Sequence, residues 1–248
     1  MAIYRERGIV LRTIKLGEAD KIVTIATEGR GKVRAVAKGV RKTKSRFGAR
    51  LEPLSHVALL LYEGRQLDTI TQVETIDAFR AVREDLDRLT QATVLLEAVD
   101  HMGQEGEDNP RLLQMLLGAL RTLEAGPAPL VVPAFFWKLL AQEGFHPLLD
   151  ECASCGERAD VPGVGGVPQF TAFDLEVGGV LCRSCAQSAP RLSAAGLALL
   201  RRMLGGDLVA VLAEPASAAG YEVEHLATRA LEAHVERRMR SMHMLDRN

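Results

Sequence analysis

The hydrophobic pattern of this 248-residue chain changes period once, near residue 78, and that change limits the fold more than any other feature. Before it, five segments (GIVLRTIKL, DKIVTIATE, GRGKVRAVAKG, HVALLLYEG and QLDTITQVET) are short and rich in Val, Ile and Thr. Gly, Asp or Glu-Gly separates them, which is the pattern of half-buried strands. Five such strands predict a small closed or partly open barrel, because closure removes unpaired edges. An OB-fold is the expected form, although an SH3-like barrel fits the same spacing.

After Ile76 the period becomes helical. Phe79, Val82, Leu86, Leu89, Thr93, Leu96 and Val99 recur at three- and four-residue steps, which predicts an amphipathic helix over 79–102. Asn109-Pro110 supplies a cap and a first-turn proline for a helix running to Glu124. LVVPAFFWKLLAQEGF is apolar on nearly every side and reads as a central buried helix. Ser193 caps a further helix to Leu204, and Tyr221 to Leu245 reads as a long final one. The expected fold is therefore α+β and multidomain. A barrel domain spans 1–78, and a helical domain spans 79–248 with an insertion at 148–190.

That insertion contains every cysteine in the chain: Cys152, Cys155, Cys182 and Cys185. Two C-x-x-C pairs with none left over predict one tetrahedral four-thiolate shell, which suits a single zinc ion. The spacer holds VPGVGGVP, read as a loop, and DLEVGGVLC, read as a hairpin. Four thiolates fill a tetrahedral shell and leave no place for a reactive water, so the zinc is expected to be structural. Residues 150–190 carry six acids against Arg158 and Arg183. Phosphate would be repelled there.

The overall charge of -1 hides a division. Residues 1–50 hold 14 Lys/Arg and four Asp/Glu, a net of +10, and the remainder carries -11. Such asymmetry points to a polyanion on the basic part. In RGKVRAVAK, alternate residues place Arg30, Lys32, Arg34 and Lys38 on one strand face. The following VRKTKSRFGAR adds Arg41, Lys42, Lys44, Arg46 and Arg50. These nine cations, without an acid between them, predict one cationic surface that holds a phosphate backbone. Phe47 sits among them, either as a ring for base stacking or as a loop side chain tucked into the barrel. Other aromatics are scarce, so binding should be mostly electrostatic, sequence-tolerant and salt-sensitive, with duplex also accepted.

Enzyme signatures are absent. GRGKV lacks the spacing and Ser/Thr of a P-loop, and no G-x-S-x-G occurs. His234-Val235-Glu236 follows the cysteines instead of preceding them, so the zinc-deaminase pattern fails. Glu18 and Asp20 read as surface charges. No apolar run approaches the ~18 residues that span a membrane, and MAIYRERGIV has no apolar leader segment. A cytoplasmic protein is expected.

The early G-I-V-L, the G-E-x-D before a strand, the K-G-x-R-x-x-x-S of the basic loop and the L-x-P-x-S after it resemble the N-terminus of the RecO family of bacterial DNA repair proteins. FFWKLLAQEGFHPLLDECASCG and GGVLCRSC resemble that family's central helix and zinc segment. The resemblance implies an OB-fold, a helical body and a recombination mediator that is not an enzyme. It implies binding to single- and double-stranded DNA and strand annealing. It also implies RecR and the acidic tail of single-stranded DNA-binding protein as partners in loading RecA, with nucleoid association when DNA is bound. Two other functions remain open: a zinc-dependent hydrolase of nucleic acid, and a pure protein adaptor.

Overall fold

A computed structural model describes residues 2–43, 45, 47–158 and 170–247. Alternating apolar and polar residues form β1 (Ile3–Leu16), β2 (Asp20–Thr27), β3 (Lys32–Ala37), β4 (His56–Tyr62) and β5 (Asp68–Asp77). They close into a barrel in the order β1-β2-β3-β5-β4. Every neighbouring pair is antiparallel except β3 and β5, which join in parallel through Ala35–Asp68 and Val36–Thr69. This is the five-stranded OB-fold barrel.

β3 alternates as its sequence requires: Val33, Ala35 and Ala37 are buried, while Lys32, Arg34 and Val36 stay partly exposed. The small inward residues of β3 leave room that other side chains fill. Val10, Val23, Ile25, Val57, Leu59, Leu61 and Ile70 supply the strand contribution to the interior, and Phe47 and Leu51 enter from the β3–β4 connection. A bulge between Val10 and Arg12 shifts the register of β1. Leu11 is thereby buried outside the barrel core, among Ala26, Val99, Leu112 and Leu113. One extra residue in a strand produces this kind of re-aiming.

The helix expected over 79–102 is two helices, α1 (Arg80–Glu84) and α2 (Leu86–Met102). Asp85 between them is extended, and its carboxylate accepts from the Arg88 N–H. It caps α2 and so ends α1. The apolar period runs through this break without a gap, which is why spacing alone passes over it. Asn109 caps α3 (Pro110–Ala125) with Pro110 in the first turn, as read from sequence. The barrel, α1–α3 and residues 240–248 form one compact unit, Met1–Pro127 with Arg240–Asn248; Ala128–Met239 forms a second. The sequence boundary at 78/79 falls inside the first unit.

In the second unit, α4 (Val131–Gln142) is buried on almost every side, as its uniformly apolar sequence dictates. A two-stranded hairpin follows, β6 (Phe170–Asp174) and β7 (Gly179–Cys182). Then come α5 (Ala194–Leu204), α6 (Leu208–Leu212) and α7 (Ala218–Val235), with α4 packed on α5 and α7. Trp137 of α4 donates its indole N–H to the Val223 carbonyl at 3.3 Å and meets the Phe173 ring edge-on at 5.5 Å. The long final helix expected over 221–245 instead starts behind a Ser217 cap and stops at Val235, where Glu236 takes a positive φ of 51°. Beyond it, the Glu97 carboxylate of the first unit accepts from the Arg240 and Ser241 N–H groups at 2.9 and 2.7 Å. That capture starts a separate 3-10 turn, Met242–Arg247. No helix among the described residues is long and apolar enough to cross a membrane.

Candidate functional site

The basic segment is the β3–β4 connection, and its ends are tied to β1, to the start of β2 and to the turn between those strands. Gly39, at a φ of 67°, donates its N–H to the Asp20 carboxylate at 2.7 Å. Arg41 donates its N–H to the Ala19 carbonyl at 3.0 Å and its guanidinium to the Gly17 carbonyl at 3.1 Å. At the far end Leu54 N–H reaches the Val10 carbonyl, and Val10 N–H reaches the Ser55 carbonyl. Between the ends, Val40, Phe47 and Leu51 are buried in the barrel interior. A polar loop gains fixed geometry when a few of its apolar side chains are drawn into a core.

These anchors leave Lys38, Arg41, Lys42 and Arg50 exposed. Lys44 and Arg46 lie outside the described residues. Phe47 is 1% exposed, so of the two places open to it the structure shows the buried one, not the stacking ring. It is the one aromatic side chain of the basic loop, and its burial, with that of Val40 and Leu51, fastens that loop to the barrel. Asp20, read from sequence as a surface charge, holds the loop's first turn. Its only sequence signal is its place before a strand.

The strand cations are placed differently from the loop cations. Lys32 donates to the Asp100 carbonyl at 2.6 Å and lies 3.6 Å from its carboxylate, which Arg12 also reaches at 2.6 Å. Arg34 lies 3.7 Å from Glu105. Arg30 sits over the Tyr4 ring at 3.8 Å and 3.4 Å from Glu63. Tyr4 in turn donates to Asp68; burial, then that hydrogen bond, raises its pKa well above the ordinary value. The uniformly cationic surface expected from Arg30 to Arg50 is thus met by acids along its strand half, and those acids come from distant sequence. The loop half, among the described residues, faces solvent.

The four cysteines come together as their spacing predicts. Ala153 N–H donates to the Val180 carbonyl at 2.8 Å, and Leu148 exchanges hydrogen bonds with Gly178 and Val180 at 2.9 Å each. The first knuckle is thereby laid along β7, whose last residue, Cys182, begins the second. All four Sγ atoms lie within 4.8 Å of one another. A tetrahedral zinc shell with Zn–S of about 2.3 Å requires sulfurs about 3.8 Å apart, and Cys155 and Cys182 Sγ are separated by 3.8 Å. The cluster could hold a metal ion, and its donor set fits zinc. Cys182 N–H points at the Cys152 sulfur at 3.4 Å. Burial opposes ionisation of Cys152, but the N–H groups of Cys182, Cys155 and Ser154 outweigh it and bring its pKa down to about 6. Arg201 reaches the Asp150 carboxylate at 3.1 Å, tying the knuckle to α5. The VPGVGGVP stretch lies outside the described residues, and DLEVGGVLC forms the expected hairpin.

These features define an α+β protein of the OB-barrel class with a four-cysteine segment in its helical body. The family model described as Recombination protein O N terminal matches residues 1–79, and Recombination protein O C terminal matches residues 83–243. The chain belongs to the RecO family. It is 43% identical to the DNA repair protein RecO of Nocardioides sp., over 99% of this chain and 100% of that protein. The protein of that name from Frankia casuarinae is 42% identical over 100% of both chains. The one from Rubrobacter xylanophilus is 45% identical over 95% of this chain and 92% of its own.

Proposed function

We propose that this chain is a non-enzymatic, DNA-binding mediator of recombinational DNA repair in the cytoplasm. It binds single- and double-stranded DNA, anneals complementary strands, and helps RecA load together with RecR and single-stranded DNA-binding protein. The observation that carries this reading is the basic loop: Lys38, Arg41, Lys42 and Arg50 project to solvent from a segment pinned into the barrel by Val40, Phe47 and Leu51. They make an anchored array of cations, and the sequence adds Lys44 and Arg46 to the charge of the same segment. Each phosphate neutralised releases condensed counterions, and two strands held on one cationic surface repel each other less. Arg30 and Arg34 extend the array weakly, because Glu63 and Glu105 share their charge. Lys32 contributes least, since its ammonium is engaged by Asp100.

Zinc held by Cys152, Cys155, Cys182 and Cys185 would supply folding free energy to a segment with a small core of its own. The chain's residues add the sulfur-directed N–H of Cys182 and the clamp of Arg201 on Asp150.

The reading is tested by replacing Lys38, Arg41, Lys42, Lys44 and Arg46 with Glu and titrating labelled oligonucleotide at about 50 mM salt, where phosphate contacts dominate affinity. Binding is expected to be abolished. An affinity equal to that of the native chain would overturn the reading.

A further inference from the structure

The end of α2 and the segment after it carry charge opposite in sign to the basic end of the chain. Between Arg88 and Arg111 lie Glu97, Asp100, Glu105, Glu107 and Asp108, with no Lys or Arg among them. This acidic run docks on the barrel. Asp100, at 15% side-chain exposure, lies 2.6 Å from Arg12 and 3.6 Å from Lys32. The Lys32 N–H donates to the Gln104 carbonyl at 3.0 Å. Glu105 bridges to Gly31 and Lys32. Arg34, two residues beyond Lys32, projects to the same side of β3. Its guanidinium lies 3.7 Å from the Glu105 carboxylate. The chain thus brings its own anions to the strand cations, as a phosphate backbone would.

The two carboxylates hold their partners differently. Asp100 is largely buried and in hydrogen-bond contact with Arg12. The Glu105 side chain is 54% exposed and that of Arg34 38%. At 3.7 Å this pair has charge attraction without a hydrogen bond. Arg34 Nε is buried, and among the described residues it has no hydrogen-bond partner. A guanidinium offers five N–H donors, so Glu105 leaves Arg34 short of acceptors. A phosphate can take two parallel N–H bonds from it. The exchange costs little, because an exposed pair of this kind adds little to stability. The main chain stays in place meanwhile, since the bridges to Gly31 and Lys32 do not involve the carboxylate. Only the Glu105 side chain has to turn away.

We infer that Glu105 is an autoinhibitory contact: its carboxylate occupies Arg34 in the free protein and yields it to a DNA phosphate. It thereby sets how far the DNA footprint runs from the basic loop back along β3. Asp100 is its fixed counterpart, keeping Arg12 and Lys32 out of that footprint. The inference rests on the DNA-binding reading above and adds a built-in restraint to it.

The test begins with Glu105→Gln, which keeps the shape of the side chain and removes its charge. Affinity for a labelled thymidine oligonucleotide is measured from about 50 to about 200 mM salt, the range over which phosphate contacts show. Glu84→Gln, which removes an exposed acid on α1 in the same unit, controls for net charge. Arg34→Gln and the double variant complete a cycle that isolates the pairwise effect. Glu105→Gln is expected to bind about fivefold tighter at the lowest salt. Its log–log salt slope should steepen by about 0.7, the value for one further phosphate contact on a single strand. In the Arg34→Gln background the same change should gain less than about twofold, and so should Glu84→Gln in the native chain. The inference is overturned if Glu105→Gln gains nothing, if Glu84→Gln gains as much, or if the gain persists in full without Arg34, while the Glu reversal of the loop still abolishes binding. A lower thermal midpoint for Glu105→Gln without a gain in affinity would make the pair a structural contact and overturn it equally. If the Glu reversal itself leaves binding intact, the DNA-binding reading fails and takes the autoinhibitory contact with it.

Discussion

The Lys32 ammonium donates to the main-chain oxygen of Asp100 at 2.6 Å, joining the middle of the barrel to the end of α2 across 68 residues of sequence. A charged donor at 17% side-chain exposure, satisfied in this way, serves the fold. Lys32→Ala is expected to lower stability by about 2 kcal/mol, the range for a lost charge-assisted hydrogen bond. DNA affinity at low salt should fall far less than for Lys42→Glu. Denaturant unfolding and oligonucleotide titration of the two variants separate these roles.

One residue earlier, Gly31 admits no side chain. Its φ is 61°, and an added Cβ would lie 1.8 Å from the Glu107 carbonyl oxygen. Gly31→Ala combines a left-handed backbone penalty with a backbone clash, together about 3 kcal/mol or more. A thermal melt should show a clear drop in midpoint. An unchanged melt would mean that the segment after α2 does not lie against this turn.

The strands were legible because alternation is local: Val33, Ala35 and Ala37 turn inward for reasons contained in their own hexapeptide. The four-cysteine cluster was legible because two C-x-x-C knuckles have few other uses. The acids that meet the strand cations were not, because Asp100 and Glu105 approach Lys32 and Arg34 only once α2 has docked. Asp85 and Glu236 end helices whose apolar spacing continues through them, by a side-chain cap in one case and a positive φ in the other.

Metal analysis should find one zinc per chain. Cys182→Ser should lose it, and chelation should lower the stability of the Ala128–Met239 unit, because metal binding and folding of such a site are coupled. DNA affinity should stay within about twofold, as the basic loop makes its anchoring contacts inside the barrel. A folded native chain with four free thiols and no metal would contradict the zinc assignment.

His56 is 6% exposed, and among the described residues its Nε2 has no hydrogen-bond partner. Burial lowers its pKa below the ordinary 6.5. The unfolded chain therefore takes up the proton first. Stability from this group is complete above pH 6.5 and is lost as pH falls from 6.5 toward the lower folded value. His56→Gln should lose less stability than the native chain between pH 7.5 and 5.5 in denaturant titrations. Parallel curves for the two proteins would contradict this.

The central claim is that the pinned basic loop brings DNA strands together. Strand annealing, followed with two complementary labelled oligonucleotides across a salt series, tests it most directly. The native chain should accelerate annealing at low salt and lose that activity steeply as salt rises, as competition with released counterions requires. The variant with Lys38, Arg41, Lys42, Lys44 and Arg46 changed to Glu should anneal no faster than the oligonucleotides alone at any salt. Equal acceleration by both proteins, with the same salt dependence, would contradict the account.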